Sequence, residues 1–337
     1  MTEQKTRRPG SGAGAALPVL EIEGLGIRLD DDRAARPILD GVDLRVMPGE
    51  TVGLVGESGS GKSVACRSVL GLLPRGARTT GQVRVEGDDV LAMNRAELTE
   101  LRTRRAAMVY QDPRACVNPL RRVGDFLTEG LRAAGTSAAT ATARAADLLD
   151  AVGIRDPRGA LRRYPHEFSG GMLQRVVIAA ALAAEPALLV ADEPTTALDV
   201  TTQAEIIAIL AGLRAEHDTG LLFVTHDLEL AAAICDRVYV MYAGRIVETR
   251  PTDALFDHPR HPYTAGLLAC TPGIGPGSPA PRPIPGRPVS LAESPPGCGF
   301  AARCAHVQPR CTEEKPAPRP YGEGMAACHR ADEGITL

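Results

Sequence analysis

Gly56-Glu57-Ser58-Gly59-Ser60-Gly61-Lys62-Ser63 is the stretch that decides the fold. It fits G-x-x-x-x-G-K-[ST], follows the apolar run Thr51–Val55, and precedes a helical pattern over 64–73. Strand, glycine loop and helix is the context a phosphate-binding loop requires. Glycines let backbone N–H groups turn inward around phosphate oxygens at a helix N-terminus, where the helix dipole favours negative charge. In such a loop residues Gly56 to Val64 line a triphosphate, Lys62 reaches the β- and γ-phosphates, and the Ser63 hydroxyl ligates Mg²⁺. The plainer reading is a glycine-rich turn before an ordinary helix. Eight matching positions in the right context weigh against it, and the expectation is a nucleoside triphosphate site.

Working outward, residues 19–29 place Leu20, Ile22, Leu25, Ile27 and Leu29 in a strand-like pattern with an irregularity at Gly24. Over 38–46, Val42, Leu44 and Val46 alternate with Asp43 and Arg45, and Pro48-Gly49 turns the chain into the loop strand. Val83 and Val85 alternate over 81–90. These segments predict a small antiparallel sheet attached to an α/β core. A short apolar run at 105–110 delivers Gln111. Beyond it, 125–134 and 138–152 are rich in Ala and Leu, which favours helices. Residues 112–168 therefore predict an inserted helical subdomain, with a plain helical pair padding the core as the alternative. Strands return at 187–191, 220–225, 237–242 and 245–249, separated by helices at 170–184, 200–216 and 228–234. That alternation predicts a parallel sheet. Proline and glycine dominate 271–296, which reads as a linker or irregular strap.

The 337 residues carry a net charge of −3, so nothing in the balance points to nucleic acid. Residues 1–17 are polar and Gly-rich without an apolar core and read as a disordered tail. The most apolar stretch, 176–190, is broken by Glu185-Pro186 and falls short of the ~20 residues a spanning helix needs. The expected place is the cytoplasm, with any membrane role exerted through a partner. Cys66, Cys116, Cys235 and Cys270 are scattered, whereas Cys298, Cys304, Cys311 and Cys328 crowd the C-terminal end. In a reducing compartment a crowded set suggests metal before disulfides.

Two further constellations carry chemistry. The apolar strand at 187–191 ends in Asp192-Glu193, which sets Asp192 beside the glycine loop to hold the Mg²⁺ shell and Glu193 to polarise water as general base. Phe168-Ser169-Gly170-Gly171-Met172 opens a helix and forms a second anion site. One nucleotide cannot easily use both helix starts of one subunit. The second start is therefore expected to face the γ-phosphate held by another subunit.

Taken in order, GESGSGKS, Gln111, FSGGM, ADEP at 191–194, ALD at 197–199 and His226 resemble the ATP-binding cassette (ABC) ATPases over about residues 18–270. The resemblance implies a P-loop ABC ATPase of α/β class: a RecA-like parallel core, an antiparallel β subdomain and the inserted helical subdomain. It implies that Gln111 is the Q-loop glutamine, which contacts Mg²⁺ and senses the membrane subunit. Ser169, Gly170, Gly171 and Met172 would be the signature motif that completes the partner's ATP site. Asp199 would be the D-loop aspartate, linking the two sites, and His226 the switch histidine on the γ-phosphate. Two departures stand out. No aromatic lies between Met1 and Tyr110 to stack on adenine, leaving Leu29 or Arg33 for that contact. The signature also has Phe168 and Met172 where many members carry Leu and Gln.

The end of the chain resembles a particular branch. His258-Pro-Arg-His-Pro-Tyr263, Ile284-Pro285-Gly286 and Gly297-Cys298-x-Phe300-x2-Arg303-Cys304 are similar to the extension of dipeptide and oligopeptide importer ATPases. After a linker over 271–297, residues 298–337 would form its small Cys-rich C-terminal module. This resemblance implies an ATPase subunit at the cytoplasmic face of the membrane, paired with a second, related ATPase. Its other partners would be two permease subunits and an extracytoplasmic peptide-binding protein. Spacings of C-x5-C, C-x6-C and C-x16-C fit a [4Fe–4S] cluster or a zinc site of four thiolates by ligand softness. The absence of close C-x2–4-C pairs disfavours zinc. Some peptide importer ATPases carry a cluster in this extension, which adds to the iron reading. Disulfide pairing is the plain alternative. The rival functions are a soluble cassette protein of translation or DNA repair, an inactive regulatory subunit, and an importer of nickel chelates or other small solutes.

Overall fold

The structure is a computed structural model that describes residues 17–31, 34–196, 198–271 and 280–333. The expected tail to residue 16, Arg33 and the middle of the Pro/Gly segment lie outside the described residues.

The chain opens with β1 (Leu20–Asp31), β2 (Ala34–Val46), β3 (Thr51–Val55), α1 (Lys62–Ser68), β4 (Ala77–Val85), β5 (Asp88–Asp89), α2 (Arg95–Glu100) and β6 (Ala106–Val109). Helices follow: α3 (Pro113–Cys116), α4 (Val123–Ala133), α5 (Ala138–Ala151), α6 (Pro157–Ala160) and α7 (Gly170–Leu182). Next come β7 (Leu188–Asp192), α8 (Val200–His217), β8 (Gly220–Thr225), α9 (Leu228–Ile234), β9 (Arg237–Tyr242) and β10 (Arg245–Pro251). The last elements are α10 (Thr252–Asp257), α11 (Pro262–Cys270), α12 (Pro309–Glu313), β11 (Arg319–Tyr321) and β12 (Gly324–Ala326).

The strands sort into two sheets, ordered β2-β1-β4-β5 and β11-β12-β10-β9-β3-β8-β7-β6. The first is antiparallel throughout, as alternation of Leu20, Ile22, Val42, Leu44, Val83 and Val85 with polar residues predicts. Gly24 marks a slip of register in both pairings of β1, the physical form of the irregularity in its sequence. In the large sheet β9, β3, β8, β7 and β6 run parallel. Strands β3, β7 and β8 are buried along their whole length, so they read as continuous apolar runs.

Period-2 geometry splits those runs between two cores. Val52, Leu54, Leu188, Val190, Leu222 and Val224 face the small sheet and α1, joining Leu20, Ile22, Val83 and Cys66. Val55, Leu189, Ala191, Leu221 and Phe223 face the other side, where α4, α5, α7 and α8 supply Leu127, Leu149, Ile178 and Ile206. Each fully buried Leu or Ile contributes roughly 1.5–3 kcal/mol. Two layers thus grip one sheet.

Three local outcomes depart from the sequence expectation. The helix expected over 64–73 ends at Ser68. Gly71, at φ 64°, turns the chain where a Cβ would meet Leu98 Cδ2 at 2.7 Å. Residues 95–100 form an extra helix because Asn94 and Glu97 build a reciprocal capping box. Finally, the C-terminal hairpin β11–β12 pairs with β10, through Glu248↔Ala326 and Thr249↔Met325, and so extends the main sheet.

Candidate functional site

Parallel strands deliver their C-terminal ends to one edge, and the loops leaving β3, β6, β7 and β8 meet there. The glycine loop leaves β3, flanked by β8 and β9. Gly56, Gly59 and Gly61 take φ of 153°, 81° and 108°. At Gly56 a Cβ would strike the Met241 carbonyl at 2.2 Å, so only glycine fits. The Gly244 N–H donates to the Ser60 carbonyl at 2.8 Å, which pins the loop to the β9–β10 turn. Ser58 lies on the exposed outer side of the loop, and Ser63 and Val64 occupy the first turn of α1.

Lys62 is 5% exposed. Its Nζ donates to the carbonyls of Gly56 at 2.7 Å and Glu57 at 3.1 Å. Burial pushes its pKa down, against the upward pull of Glu193 and Asp192. Ser63 Oγ donates to Asp192 Oδ1 at 3.1 Å. Asp192 ends β7, and burial raises its pKa against the Ser63 hydrogen bond. Burial is the largest influence on both groups, so an acid and a base sit close together in a poorly solvated site. Among the described residues Ser60 Oγ is buried with no hydrogen-bond partner. The glycine cradle, the buried ammonium, the orphan hydroxyl and the Ser63–Asp192 pair fit a triphosphate with Mg²⁺.

Glu193 follows at φ 48°, a left-handed position that costs a non-glycine residue about 1–2 kcal/mol. Its N–H donates to the Val224 carbonyl at 3.0 Å, and its carbonyl accepts from the Thr196 N–H at 3.2 Å. The turn brings three groups to one oxygen, Glu193 Oε2. Gln111 Nε2 donates to it at 3.0 Å, Thr196 Oγ1 at 3.0 Å, and His226 Nδ1 stands at 3.3 Å. Thr196 was not singled out from the sequence; its spacing of three residues from Glu193 was the available signal. Residues expected to work together thus meet from separate loops.

The residues expected to form the signature motif stand apart. Ser169 caps α7, its exposed Oγ accepting from the Met172 N–H at 3.3 Å. A Cβ at Gly170 would meet nothing within 4 Å, whereas one at Gly171 would meet Thr202 Cγ2 at 2.7 Å. Thr202 in turn donates from N–H and Oγ1 to Asp199 at 3.0 and 2.8 Å, and these bonds lower the Asp199 pKa. Among the described residues no hydrogen bond joins Ser169–Met172 to the glycine loop. For adenine, Leu29 is half-buried near the end of β1, and Arg33 lies outside the described residues.

At the C-terminal end Cys298, Cys304, Cys311 and Cys328 line one small cavity with His306 and His329. None of the four is in a disulfide. The metal centre expected from their spacing is not preformed: no group of three or more His, Cys, Asp or Glu among the described residues could hold a metal ion as it stands. Sequence reading also left Tyr263 and Arg303 as mere landmarks of a branch. Both reach the glycine loop, with Tyr263 Oη accepting from the Glu57 N–H at 2.8 Å and Arg303 pairing with the Glu57 carboxylate at 2.6 Å.

Comparison with known proteins agrees with this geometry. The ABC transporter family profile matches residues 39–196, and the profile for the oligopeptide/dipeptide transporter C-terminal region matches residues 247–311. A Brucella abortus protein named as a putative peptide import ATP-binding protein is 42% identical over 92% of this chain and 94% of its own length. The oligopeptide transport ATP-binding protein OppD of Bacillus subtilis is 43% identical over 88% of this chain and 84% of its own. Among solved structures, the dimeric bacterial ABC transporter cassette MJ0796 superposes with a TM-score of 0.63 at 26% identity, covering 69% of this chain and 98% of that one. The same cassette has been solved in a post-hydrolysis state with ADP and Pi. A chain with this edge of converging loops, these two matching profiles and relatives of this likeness belongs to the ATP-binding cassette family, in the branch whose ATPases carry the oligopeptide/dipeptide transporter C-terminal region.

Proposed function

We propose that this chain is the ATP-hydrolysing subunit of a peptide importer, working at the cytoplasmic face of a membrane. One observation carries the reading: Lys62, Ser63, Asp192, Glu193, Gln111 and His226 converge at a single edge of the sheet. ATP binds with its phosphates in the Gly56–Val64 loop. Lys62 leaves the Gly56 and Glu57 carbonyls for the phosphate oxygens. Ser63, Asp192 and Gln111 would hold Mg²⁺, which would supply positive charge to the phosphoryl oxygens. Glu193 acts as general base. Its Oε2 takes the bonds from Gln111 and Thr196, with His226 Nδ1 beside it, which leaves Oε1 to accept the proton of the water that attacks the γ-phosphorus. The bond from the γ-phosphorus to the bridging oxygen breaks and ADP leaves. His226 also reaches the γ-phosphate, and a second cassette's signature serine and glycines close the site.

Ser169, Gly170, Gly171 and Met172 serve the partner's nucleotide in the same way, with Asp199 between the two sites. What supports that arrangement is an exposed helix start with open space at Gly170. The partners are a second, related ATPase, two permease subunits and an extracytoplasmic peptide-binding protein. Among the described residues no helix is long and apolar enough to cross a membrane, and attachment in this reading runs through the permeases. Peptide cargo is supported by the relatives' names.

The cysteine-rich end is read as a [4Fe–4S] site, with a zinc site of four thiolates as the alternative. Support comes from the shared cavity and from the N–H groups of His306 and Arg330, which donate to the sulfurs of Cys304 and Cys328 at 3.4 Å. Such donors stabilise thiolate ligands.

The test is Glu193→Gln. It removes the base but keeps an acceptor and the size, so ATP turnover in the assembled transporter should fall at least ~100-fold while nucleotide binding persists. Equal rates for wild type and variant remove the catalytic assignment.

A further inference from the structure

Glu57 occupies a position where the phosphate-loop pattern accepts any residue, yet its backbone and its carboxylate are both held from outside the loop. The carboxylate takes both arms of a fork: Arg303 Nη1 to Oε2 at 2.6 Å and Nη2 to Oε1 at 3.0 Å. Its N–H donates to Tyr263 Oη at 2.8 Å, and its carbonyl accepts from Lys62 at 3.1 Å. The Arg303 side chain is 5% exposed. Its Nε donates to the Pro285 carbonyl at 2.9 Å, and Nη1 reaches the Tyr242 hydroxyl at 3.4 Å. The guanidinium lies against the Tyr242 and Phe300 rings, 5.8 Å from each centroid. Tyr263 closes the group, 4.6 Å from Tyr242 and 5.3 Å from Phe300. The groups that grip Glu57 from outside its own loop thus come from the C-terminal part of the chain.

We propose that Arg303 is a positioning residue of the nucleotide site, acting through Glu57. The physical reason is a change of hydrogen bonding that ligand binding brings. In this loop Lys62 ties down the Gly56 and Glu57 carbonyls. Once the ammonium turns to phosphate those carbonyls lose that donor. The loop then keeps its open curvature through the Arg303 fork and the Tyr263 hydroxyl. A planar guanidinium fixes the carboxylate in distance and in plane, which an ammonium cannot do. The Arg303 cation also offsets the repulsion between the Glu57 carboxylate and an incoming polyanion. Arg303 immediately precedes Cys304, one of the four cavity cysteines, so the cysteine-rich segment becomes part of the ATP site rather than an appendage to it.

The inference rests on the ATP-site reading above, and one titration separates the two. Full-length wild type, Arg303→Gln, Arg303→Lys, Glu57→Gln and the Glu57→Gln/Arg303→Gln double variant are each titrated with a fluorescent non-hydrolysable ATP analogue. Steady-state turnover is measured in the assembled transporter. Arg303→Gln should raise Kd and KM for ATP about tenfold, within the range of coupling energies between contacting residues, while kcat at saturating ATP holds within about twofold. Arg303→Lys should recover part of that affinity. In the Glu57→Gln background Arg303→Gln should change Kd by much less than in the wild type, because the charge and one arm of the fork are already gone. Additive losses, or a wild-type Kd in Arg303→Gln, overturn the inference and leave the ATP site standing. If Arg303→Gln does not fold, a wild-type Kd in Arg303→Lys overturns it and a raised Kd supports it. A wild type that binds no analogue overturns both.

Discussion

Lys62→Ala removes the buried ammonium of the nucleotide loop, and the structure sets the size of the effect. Nζ donates to two carbonyls in the ligand-free loop, at 2.7 and 3.1 Å, and the residue is 5% exposed. Losing a donor to a buried carbonyl costs about 1–3 kcal/mol, so the ligand-free variant should itself be destabilised by that order. In the proposed nucleotide complex the same ammonium would make charge-assisted bonds to phosphate, worth roughly 1.5–3 kcal/mol each. A net loss of about 3 kcal/mol in binding corresponds to roughly a hundredfold in Kd. Hydrolysis suffers more, because negative charge shifts onto the oxygens that Lys62 faces as the phosphoryl group transfers. The assay pairs an equilibrium titration with steady-state phosphate release, and thermal unfolding reports the ligand-free cost. Turnover should vanish into background. Wild-type turnover in Lys62→Ala would refute the assignment of the loop, whatever happened to stability.

Other outcomes follow from the same geometry. Ser169→Arg places a bulky cation at an exposed helix cap, so the chain's own nucleotide affinity should hold within about twofold while turnover at the partner's site stops; loss of its own binding would contradict action across the dimer. Protein purified without oxygen should be brown, with iron and acid-labile sulfide near ~4 per chain, and Cys304→Ser should bleach it; colourless protein with about one zinc per chain would put a zinc staple in its place. The Asp40 carboxylate is held below its ordinary range first by Lys315 and then by Arg245, against burial. The folded chain therefore binds fewer protons there than the unfolded one, so this contribution is complete above the ordinary carboxylate pKa and fades as pH falls through the lowered one. The site is partly exposed, so Asp40→Asn should cost under about 1 kcal/mol at neutral pH and progressively less as the carboxylate protonates, read by urea titration; a cost that grows with acidity would contradict the sign.

Much of the candidate site was legible before any coordinates. Eight residues of the glycine loop, the acidic pair after an apolar strand and the serine–glycine helix start are local patterns, and backbone geometry over a few residues largely sets what they can do. Alternation in β1, β2 and β4, and the continuous apolar runs of β3, β7 and β8, likewise reported burial on one face or two. Sequence could not say that Gln111, Thr196 and His226 share one oxygen of Glu193, because that depends on how separate loops end at a common edge. Nor could it say that Arg303 grips Glu57 across 246 residues, or that β12 adds to the sheet beside β10. Those contacts arise from packing, where a side chain's neighbours are chosen by strand order and by which face of the sheet it leaves. The motifs were therefore written into short stretches of chain, while the tie between the C-terminal segment and the phosphate loop exists only once Tyr242, Tyr263 and Phe300 have packed edge to face around the guanidinium.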